Sequence, residues 1–195
     1  MDDHPVVGAG TAALLRAQPG LDVVGVADSL DAARAGGLTD PAAVDVLLLD
    51  IRLGTESGLG LLVPGADLPA VIVLTAYDYP QYAEAALRLG AAGFVLKTAP
   101  LAELVDAIRR VAAGGLAFAV RPGSGAVRLT RREHEVVRLV ADGRSNDEIG
   151  VALGIGAKTV ETHLARLFER LGIASRTELA TRAVREGWLE VPPST

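Results

Sequence analysis

The sequence predicts an α/β domain with a doubly wound parallel sheet, followed by a small all-α domain of four helices. In the front half, short β-branched runs alternate with helical stretches rich in alanine and leucine. In the back half, strand signals disappear and helix caps recur regularly. The runs are apolar throughout, which indicates strands buried on both faces, as in a parallel sheet covered by helices. They are Val23–Ala27, Val46–Leu49, Val71–Leu74 and Phe94–Leu96.

Helical segments are predicted between these runs. Leu101, Leu104, Ile108 and Val111 recur at the spacing of one helix face. Strands that alternate with helices are typical of doubly wound α/β domains. The predicted helices of this half are Thr11–Ala17, a short piece at Leu59–Val63, Gln81–Leu89 and Leu101–Ala113.

A linker is predicted at residues 119–127, because residues 121–125 are rich in proline, glycine and serine. It separates a front domain, residues 1–118, from a back domain, residues 128–195. Helices are expected near 131–142, 146–153, 158–171 and 176–186. Each of three begins with a capping box, in which a hydroxyl residue is followed three positions later by glutamate. The caps are Thr130, Ser145 and Ser175, and the glycines expected to end the four helices are Gly143, Gly154, Gly172 and Gly187.

Composition limits the class of protein. The chain has no cysteine, which excludes disulfides and thiol catalysis. Its start is acidic and no apolar stretch is long enough for a membrane span, so we expect a cytoplasmic protein without a membrane partner. The net charge of −5 divides unevenly, since residues 1–120 hold 7 basic against 14 acidic side chains and residues 121–195 hold 12 against 10. This asymmetry favours contact of the back domain with phosphates.

Polar side chains are predicted to converge at one edge of the sheet. Asp50 ends one strand, Thr75 and Lys97 each follow another, and Asp2 and Asp3 precede the first helix. Ligands of open parallel sheets bind at the carboxyl ends of the strands. Three converging carboxylates favour a hard cation between them. The alternative for each residue taken singly is a turn, a helix cap or a solvated surface charge.

On these residues, the front domain resembles the receiver domain of two-component response regulators of the NarL/FixJ class. The resemblance implies Asp50 as phosphoacceptor, and a Mg²⁺ site formed by Asp2, Asp3, Asp50 and the backbone carbonyl of Arg52. It also implies that Thr75 binds the phosphoryl group, that Lys97 pairs with Asp50, and that Phe94 is the aromatic switch residue. The family places an apolar strand directly before the acidic pair, whereas this sequence starts at the pair. We therefore expect a receiver domain truncated at its N-terminus, a weak Mg²⁺ site and a poor phosphoacceptor.

The back domain is predicted to bind DNA. On a helix over 158–171, one apolar stripe contains Val160, Leu164, Leu167 and Leu171, and the polar face lies opposite. Residues 128–190 resemble the LuxR-type helix-turn-helix, through Leu129–Glu133, Asn146–Ile149 and Lys158–Leu164. The expected DNA contacts are Lys158, Thr159, Thr162, His163, Arg166 and Arg170. The alternative is a small helical bundle with a solvated charged face.

These observations favour a DNA-binding transcriptional regulator of a two-component system, controlled through phosphorylation of Asp50 by a histidine kinase. A homodimer on an inverted-repeat site is expected, with pairing through Leu179, Ala180 and Ala183 of the final helix. Trp188 either anchors the dimer or closes its own bundle. One alternative is a phosphorylation-independent regulator whose receiver serves dimerisation or ligand binding. The other, an enzyme that hydrolyses phosphoryl groups, is disfavoured because no general base or substrate cleft is apparent, so we expect no enzyme.

Overall fold

The structure is a computed structural model that describes residues 1–54, 56–63, 65–118 and 127–191. The chain divides into two compact units, Met1–Ser124 and Gly125–Thr195, called here the front unit and the back unit. The division falls inside the predicted linker at 119–127, but residues 119–126 lie outside the described part of the chain. The linker and the domain boundaries therefore stay predictions.

The front unit contains a sheet of four parallel strands. Its order is β1-β4-β5-β6, and a separate two-stranded hairpin pairs β2 with β3. The elements in chain order are α1 (Pro5–Arg16), α2 (Leu30–Ala35), β1 (Val46–Leu49), β2 (Arg52–Leu53), β3 (Glu56–Ser57), a 3₁₀ helix (Gly58–Leu61), β4 (Ala70–Thr75), α3 (Pro80–Arg88), β5 (Gly93–Leu96), α4 (Leu101–Ala112) and β6 (Ala117–Phe118).

Helices cover both faces of this sheet, which confirms the predicted fold class. Ile72 and Val95 pack with Leu15 of α1 and with the apolar stripe of α4. Since neighbouring side chains on a strand point to opposite faces, Phe94 lies on the other face, where α3 contacts β5.

The prediction of a strand at Val23–Ala27 is wrong. These residues join no ladder, although the other three predicted strands are confirmed. The reason is a gap between residues 22–27 and β1, which leaves both sides without a neighbouring strand. Helix α1 also begins at Pro5 rather than at Thr11, and α2, the hairpin and β6 were not predicted.

The back unit consists of four helices, close to the predicted ones. They are α5 (Arg131–Ala141), α6 (Asn146–Leu153), α7 (Ala157–Leu171) and α8 (Arg176–Arg185). The four predicted glycines all take a positive φ of 61° to 78°, a backbone conformation that costs glycine no steric strain.

The capping boxes at Thr130 and Ser145 are confirmed. The predicted box at Ser175 is incomplete, because the Glu178 carboxylate accepts from the amide of Ala174 instead of the Ser175 amide.

Among the helices in the part of the chain that the structure describes, none has the length and apolarity needed to cross a bilayer.

Candidate functional site

An acidic cluster forms at the carboxyl end of β1. One ligand atom from each of Asp2, Asp3, His4 and Asp50 lies within 4.8 Å of the others. Asp50 directly follows β1, and Asp2 is held beside it because its amide donates to the carbonyl of Ala27 at 3.0 Å. Asp2 and Asp50 are buried, with 6% and 5% exposure. The structure thus brings together the three carboxylates predicted from the sequence.

Lys97 binds two of these carboxylates at once. Its Nζ lies 2.5 Å from Oδ2 of Asp50 and 2.7 Å from Oδ2 of Asp2. Lys97 follows β5, two strands away from β1 in the sheet, so the parallel arrangement brings the ammonium to the same edge as Asp50. The predicted pairing with Asp50 is observed, and the second contact, with Asp2, was not predicted.

Burial and hydrogen bonding shift the ionisation of this cluster. Burial raises the pKa of Asp50 and outweighs the opposing influence of the Lys97 ammonium. Burial lowers the pKa of Lys97, but its hydrogen bonds to the carboxylates outweigh burial and leave that pKa above its ordinary value. Burial also raises the pKa of Asp3, but hydrogen bonds from the Gly54 amide and His4 outweigh burial and hold this pKa below its ordinary value. Lys97 therefore keeps its charge at neutral pH.

The α-amine of Met1 is part of the same region. It donates to the carbonyl of Leu48 at 2.6 Å, and the Met1 carbonyl accepts from the amide of Asp50 at 3.0 Å. Burial lowers the pKa of this amine, while Asp2 and Asp50 partly offset that effect. These contacts tie the start of the chain to the strand that precedes Asp50.

Thr75 and Phe94 occupy fully buried positions, with 0% exposure each. Oγ1 of Thr75 accepts from the amide of Tyr77 at 3.3 Å, which leaves the hydroxyl hydrogen available to a further acceptor. The Lys97 amide donates to the Thr75 carbonyl at 2.7 Å, so the ends of β4 and β5 are joined directly. Phe94 lies on β5 opposite Val73 of β4.

The residues present fit a hard divalent cation. Three carboxylates face the single Lys97 ammonium and an amine whose pKa is lowered, so negative charge is in excess. Oxygen donors of this type suit Mg²⁺, which is usually held by one or two carboxylates and completes its shell with water. Arg52, whose carbonyl was the fourth predicted ligand, begins β2 two residues after Asp50, and its guanidinium lies 4.4 Å from the centre of the Tyr77 ring.

The structure adds one residue that the sequence reasoning missed. The amide of Gly58 donates to the carbonyl of Ile51 at 2.7 Å, and its α-carbon lies against the backbone carbonyl of Asp50. A Cβ at this position would overlap that oxygen. The position of Gly58, between a short strand and an apolar run, gave no signal of this packing.

Helix α7 presents the predicted DNA-contact face. Val160, Leu164 and Leu167 are buried in the bundle. Five of the six predicted contact residues are exposed, and the sixth, His163, is half-buried; the five are Lys158, Thr159, Thr162, Arg166 and Arg170. Gly156 precedes the helix and provides no side-chain cap. The face carries both donors and acceptors, which a major groove accommodates.

Two of these basic residues already have partners in the back unit. Lys158 pairs with Glu161 at 2.7 Å on the surface of α7. The Arg170 guanidinium lies 2.9 Å from Glu133 of α5 and donates to the carbonyl of Arg128 at 3.1 Å. Arg170 therefore also joins α7 to α5, a role that the sequence did not indicate.

The final helix packs into its own bundle. Leu179 and Ala183, which were expected to pair two subunits, are fully buried against the core of the back unit. Trp188 is 2% exposed in the same core, so it closes its own bundle. That part of the pairing prediction is wrong, and the exposed side of α8 instead carries Thr177, Thr181 and Val184.

Comparison with known proteins matches each of the two units to a protein family. The model of the response regulator receiver domain matches residues 1–109, and the model of the luxR family of bacterial regulatory proteins matches residues 127–183. The transcriptional regulatory protein UhpA of Escherichia coli is 38% identical over 193 residues, which covers 96% of this chain and 97% of that protein. LiaR of Bacillus subtilis is 34% identical, with 95% of each chain covered.

A solved structure is similar over the same extent. It is RcsB from Salmonella enterica serovar Typhimurium, bound to the promoter P1flhDC in the presence of the phosphomimetic BeF3⁻. Its TM-score is 0.64 at 26% identity, with 92% of this chain and 93% of that chain covered. Together with the two family matches, these likenesses show that this chain belongs to the two-component response regulators in which a receiver domain precedes a LuxR-type DNA-binding domain, and that it is a transcriptional regulator.

Proposed function

We propose that phosphorylation of Asp50 by a partner histidine kinase controls DNA binding by the back unit. The observation that supports this most directly is the contact of Lys97 with Asp50 at 2.5 Å, beside the buried hydroxyl of Thr75. An oxygen of the Asp50 carboxylate attacks the phosphorus of the donor, a new P–O bond forms, and the leaving group departs with its bonding electrons. Lys97 and the Thr75 hydroxyl are positioned to hold the oxygens of the transferred group.

Mg²⁺ would be held by Asp2, Asp3, Asp50 and the carbonyl of Arg52, and would neutralise charge on the phosphoryl oxygens. The acidic cluster supports this assignment, because its charge exceeds what Lys97 neutralises. Lys97 must leave Asp2 for a cation to bind there. Binding should therefore be weakened by competition with the ammonium, in line with the weak Mg²⁺ site expected from the sequence.

The test of phosphorylation is incubation with acetyl phosphate and Mg²⁺, followed by intact mass measurement. We expect one phosphoryl group to be added slowly to the wild-type chain, in line with the poor phosphoacceptor expected from the sequence, none on Asp50→Asn, and none when Mg²⁺ is removed by chelation. Asp45→Asn serves as the matched control, because Asp45 lies at the opposite end of β1. Equal modification of the wild type and Asp50→Asn would contradict the proposal.

We propose further that the chain acts in the cytoplasm as a homodimer on an inverted-repeat DNA site. Thr162 and Arg166 read base edges, while Lys158, Thr159, His163 and Arg170 contact phosphates. The exposure of these residues on α7 supports the proposed DNA contacts. The RcsB structure shows a relative bound to promoter DNA. Subunits would pair through the exposed side of α8 around Val184, which is 53% exposed.

Selection of binding sites from random DNA tests these assignments. Arg166→Ala should reduce the discrimination between bases at one position of the selected site by about 1–3 kcal/mol. Lys158→Ala should weaken all sites alike and reduce the salt dependence of binding. Identical selected sites for the wild type and Arg166→Ala would show that Arg166 reads no base.

A second candidate is control without phosphorylation, in which the receiver responds to a binding partner instead. The observation that favours it is the open gap between residues 22–27 and β1, directly beside Asp2. DNA binding measured after incubation with acetyl phosphate distinguishes the two candidates. If Asp50→Asn binds DNA as the wild type does, the second candidate is supported.

A further inference from the structure

Helix α6 contributes little apolar surface to the core of the back unit. Of its eight residues, Ile149 and Gly150 are buried, while Val151 is 85% exposed. The helix packs most extensively against α7, whereas α8 packs most extensively against α5. Apolar packing therefore anchors α6 only weakly to the pair formed by α5 and α8, and polar contacts at the two ends of α6 supply the remaining connection.

Arg176, the first residue of α8, holds the start of α6. One guanidinium nitrogen donates to Oδ1 of Asn146, the first residue of α6, at 2.9 Å. The other terminal nitrogen donates to the carbonyl of Arg144, in the connection between α5 and α6. Because the guanidinium is planar, its donors meet the two acceptors at fixed angles, which a single ammonium group does not reproduce. Arg176 thus fixes the start of α6 to α8.

Arg132 of α5 holds the other end of α6. One of its terminal nitrogens donates to the carbonyl of Leu153, the last residue of α6, at 3.1 Å. The second donates to Oε2 of Glu135 at 3.0 Å, and this contact orients the guanidinium. A cation beside the last carbonyls of a helix is also favoured by the helix dipole. Both ends of α6 are therefore tied to α5 and α8 by arginine side chains.

The turn between α6 and α7 is closely packed. The amide of Ile155 donates to the carbonyl of Gly150 at 2.9 Å. A Cβ at Gly150 would lie 2.7 Å from the carbonyl oxygen of Ile155, so the two backbones approach as closely as glycine allows. A displacement of α6 therefore moves the first turn of α7, where Lys158 and Thr159 are exposed.

We propose that Arg132 and Arg176 are positioning residues for DNA recognition, which hold α6, and through it the DNA-contact face of α7, in a fixed place on α5 and α8. This inference rests on the proposed DNA contacts of α7. In a helix-turn-helix the first helix crosses the DNA backbone while the second enters the major groove, so a shift of α6 changes which base edges α7 reaches. Contacts to bases depend on this placement, whereas the general attraction to phosphates depends on charge.

Arg132→Lys and Arg176→Lys test this role, because lysine keeps the charge but loses the planar set of donors. The probes are the duplex that the full wild-type chain selects from random DNA and a scrambled duplex of the same length. We expect each variant to bind the selected duplex at least tenfold more weakly. Its affinity for the scrambled duplex, and the salt dependence of that affinity, should equal those of the wild type. Arg138→Lys, at an exposed position of α5, is the matched control and should leave both affinities unchanged.

Asn146→Ala provides a second test that alters no basic residue. It removes the acceptor that Arg176 uses on α6, so we expect the same selective loss of binding to the selected duplex. Combined with Arg176→Lys it should add little, because both changes break the same connection between α8 and α6. Fluorescence of Trp188, which is buried in the core of the back unit, shows that each variant is folded under the binding conditions. If Arg176→Lys does not fold, Asn146→Ala decides.

Two results would overturn the positioning role. The first is undiminished binding of the selected duplex by the folded variants. The second is an equal loss of affinity for both duplexes, because such a loss indicates contacts to phosphates rather than the placement of α7. A wild-type chain that selects no sequence from random DNA would instead refute the proposed DNA contacts themselves, so the two failures are distinguishable.

Discussion

Replacing Gly58 by alanine should damage the front unit and its proposed phosphoacceptor site together. The added Cβ would overlap the backbone carbonyl of Asp50 and lie 3.1 Å from Cδ1 of Leu49. The 3₁₀ helix has little freedom to move away, because the Gly58 amide is bonded to Ile51 at 2.7 Å. A carbon–oxygen contact needs about 3.3 Å, so the backbone must open by roughly 1 Å.

The expected energy follows from this displacement. Overpacking of a well-packed region costs about 1–3 kcal/mol. With a urea dependence of about 2 kcal/mol/M, the unfolding midpoint of the front unit should fall by roughly 0.5–1.5 M. Because a misplacement of about 1 Å slows reactions by up to about 100-fold, phosphorylation of Asp50 should slow as well.

Gly60→Ala is the matched control in the same 3₁₀ helix. A Cβ at Gly60 meets no atom within 4 Å, and its φ is not positive. This variant should be unchanged or more stable by about 0.4–1 kcal/mol, since alanine reduces the entropy of the unfolded chain. Tyrosine fluorescence follows the front unit, while Trp188, the single tryptophan, follows the back unit. Equal tyrosine midpoints for Gly58→Ala and Gly60→Ala would refute the reasoning.

Three further predictions concern caps and charges. Ser145→Ala should destabilise the back unit by about 1 kcal/mol in urea unfolding followed by Trp188 fluorescence, because the hydroxyl caps α6. Hydrogen bonds from the amide and hydroxyl of Ser145 lower the pKa of Glu148. The Glu148 carboxylate therefore stabilises the back unit fully above the ordinary glutamate pKa, and this stabilisation is lost as the pH falls through the lowered pKa. The urea unfolding midpoints of wild type and Glu148→Gln should thus converge in acid. Lys97→Met should destabilise the front unit by about 3–5 kcal/mol in tyrosine-monitored unfolding with a chelator present, because a buried ion pair loses one partner. Mg²⁺ should restore part of that loss, and a variant as stable as wild type would contradict the assignment.

The sequence was most informative where local chemistry decides the structure. Glycines at the ends of α5 to α8, and hydroxyl residues at the starts of α5, α6 and α8, bounded these helices to within about a residue, because caps act through neighbouring backbone groups. The apolar stripe of α7 likewise identified its exposed face correctly. The capping box predicted at Ser175 was the exception, because the Glu178 carboxylate accepts from the nearby amide of Ala174 and not from the Ser175 amide.

The sequence was least informative where pairing with distant residues decides. Val23–Ala27 has strand composition but no strand neighbour, and a strand forms only with a partner. In the converse case β6, only two residues long, forms because β5 offers a free edge. The contact of Lys97 with Asp2 has the same origin, because it depends on how the chain start meets β1 and not on sequence spacing.

The hydrogen bond between Lys97 and Thr75 links the candidate phosphoacceptor site to the core of the front unit. Lys97 uses its amide to bind the Thr75 carbonyl and its ammonium to bind both acidic residues. If Asp50 is phosphorylated as proposed, the phosphoryl group would add negative charge and acceptor oxygens, which would attract the ammonium away from Asp2 and engage the Thr75 hydroxyl. Both changes would pull on the joined ends of β4 and β5. Phe94 lies three residues before Lys97 on β5 and is fully buried, so a shift of the strand end requires repacking around this ring. Because packed cores rearrange between discrete states rather than deform continuously, the proposed phosphorylation of Asp50 would turn a local change of charge into a change in the shape of the receiver.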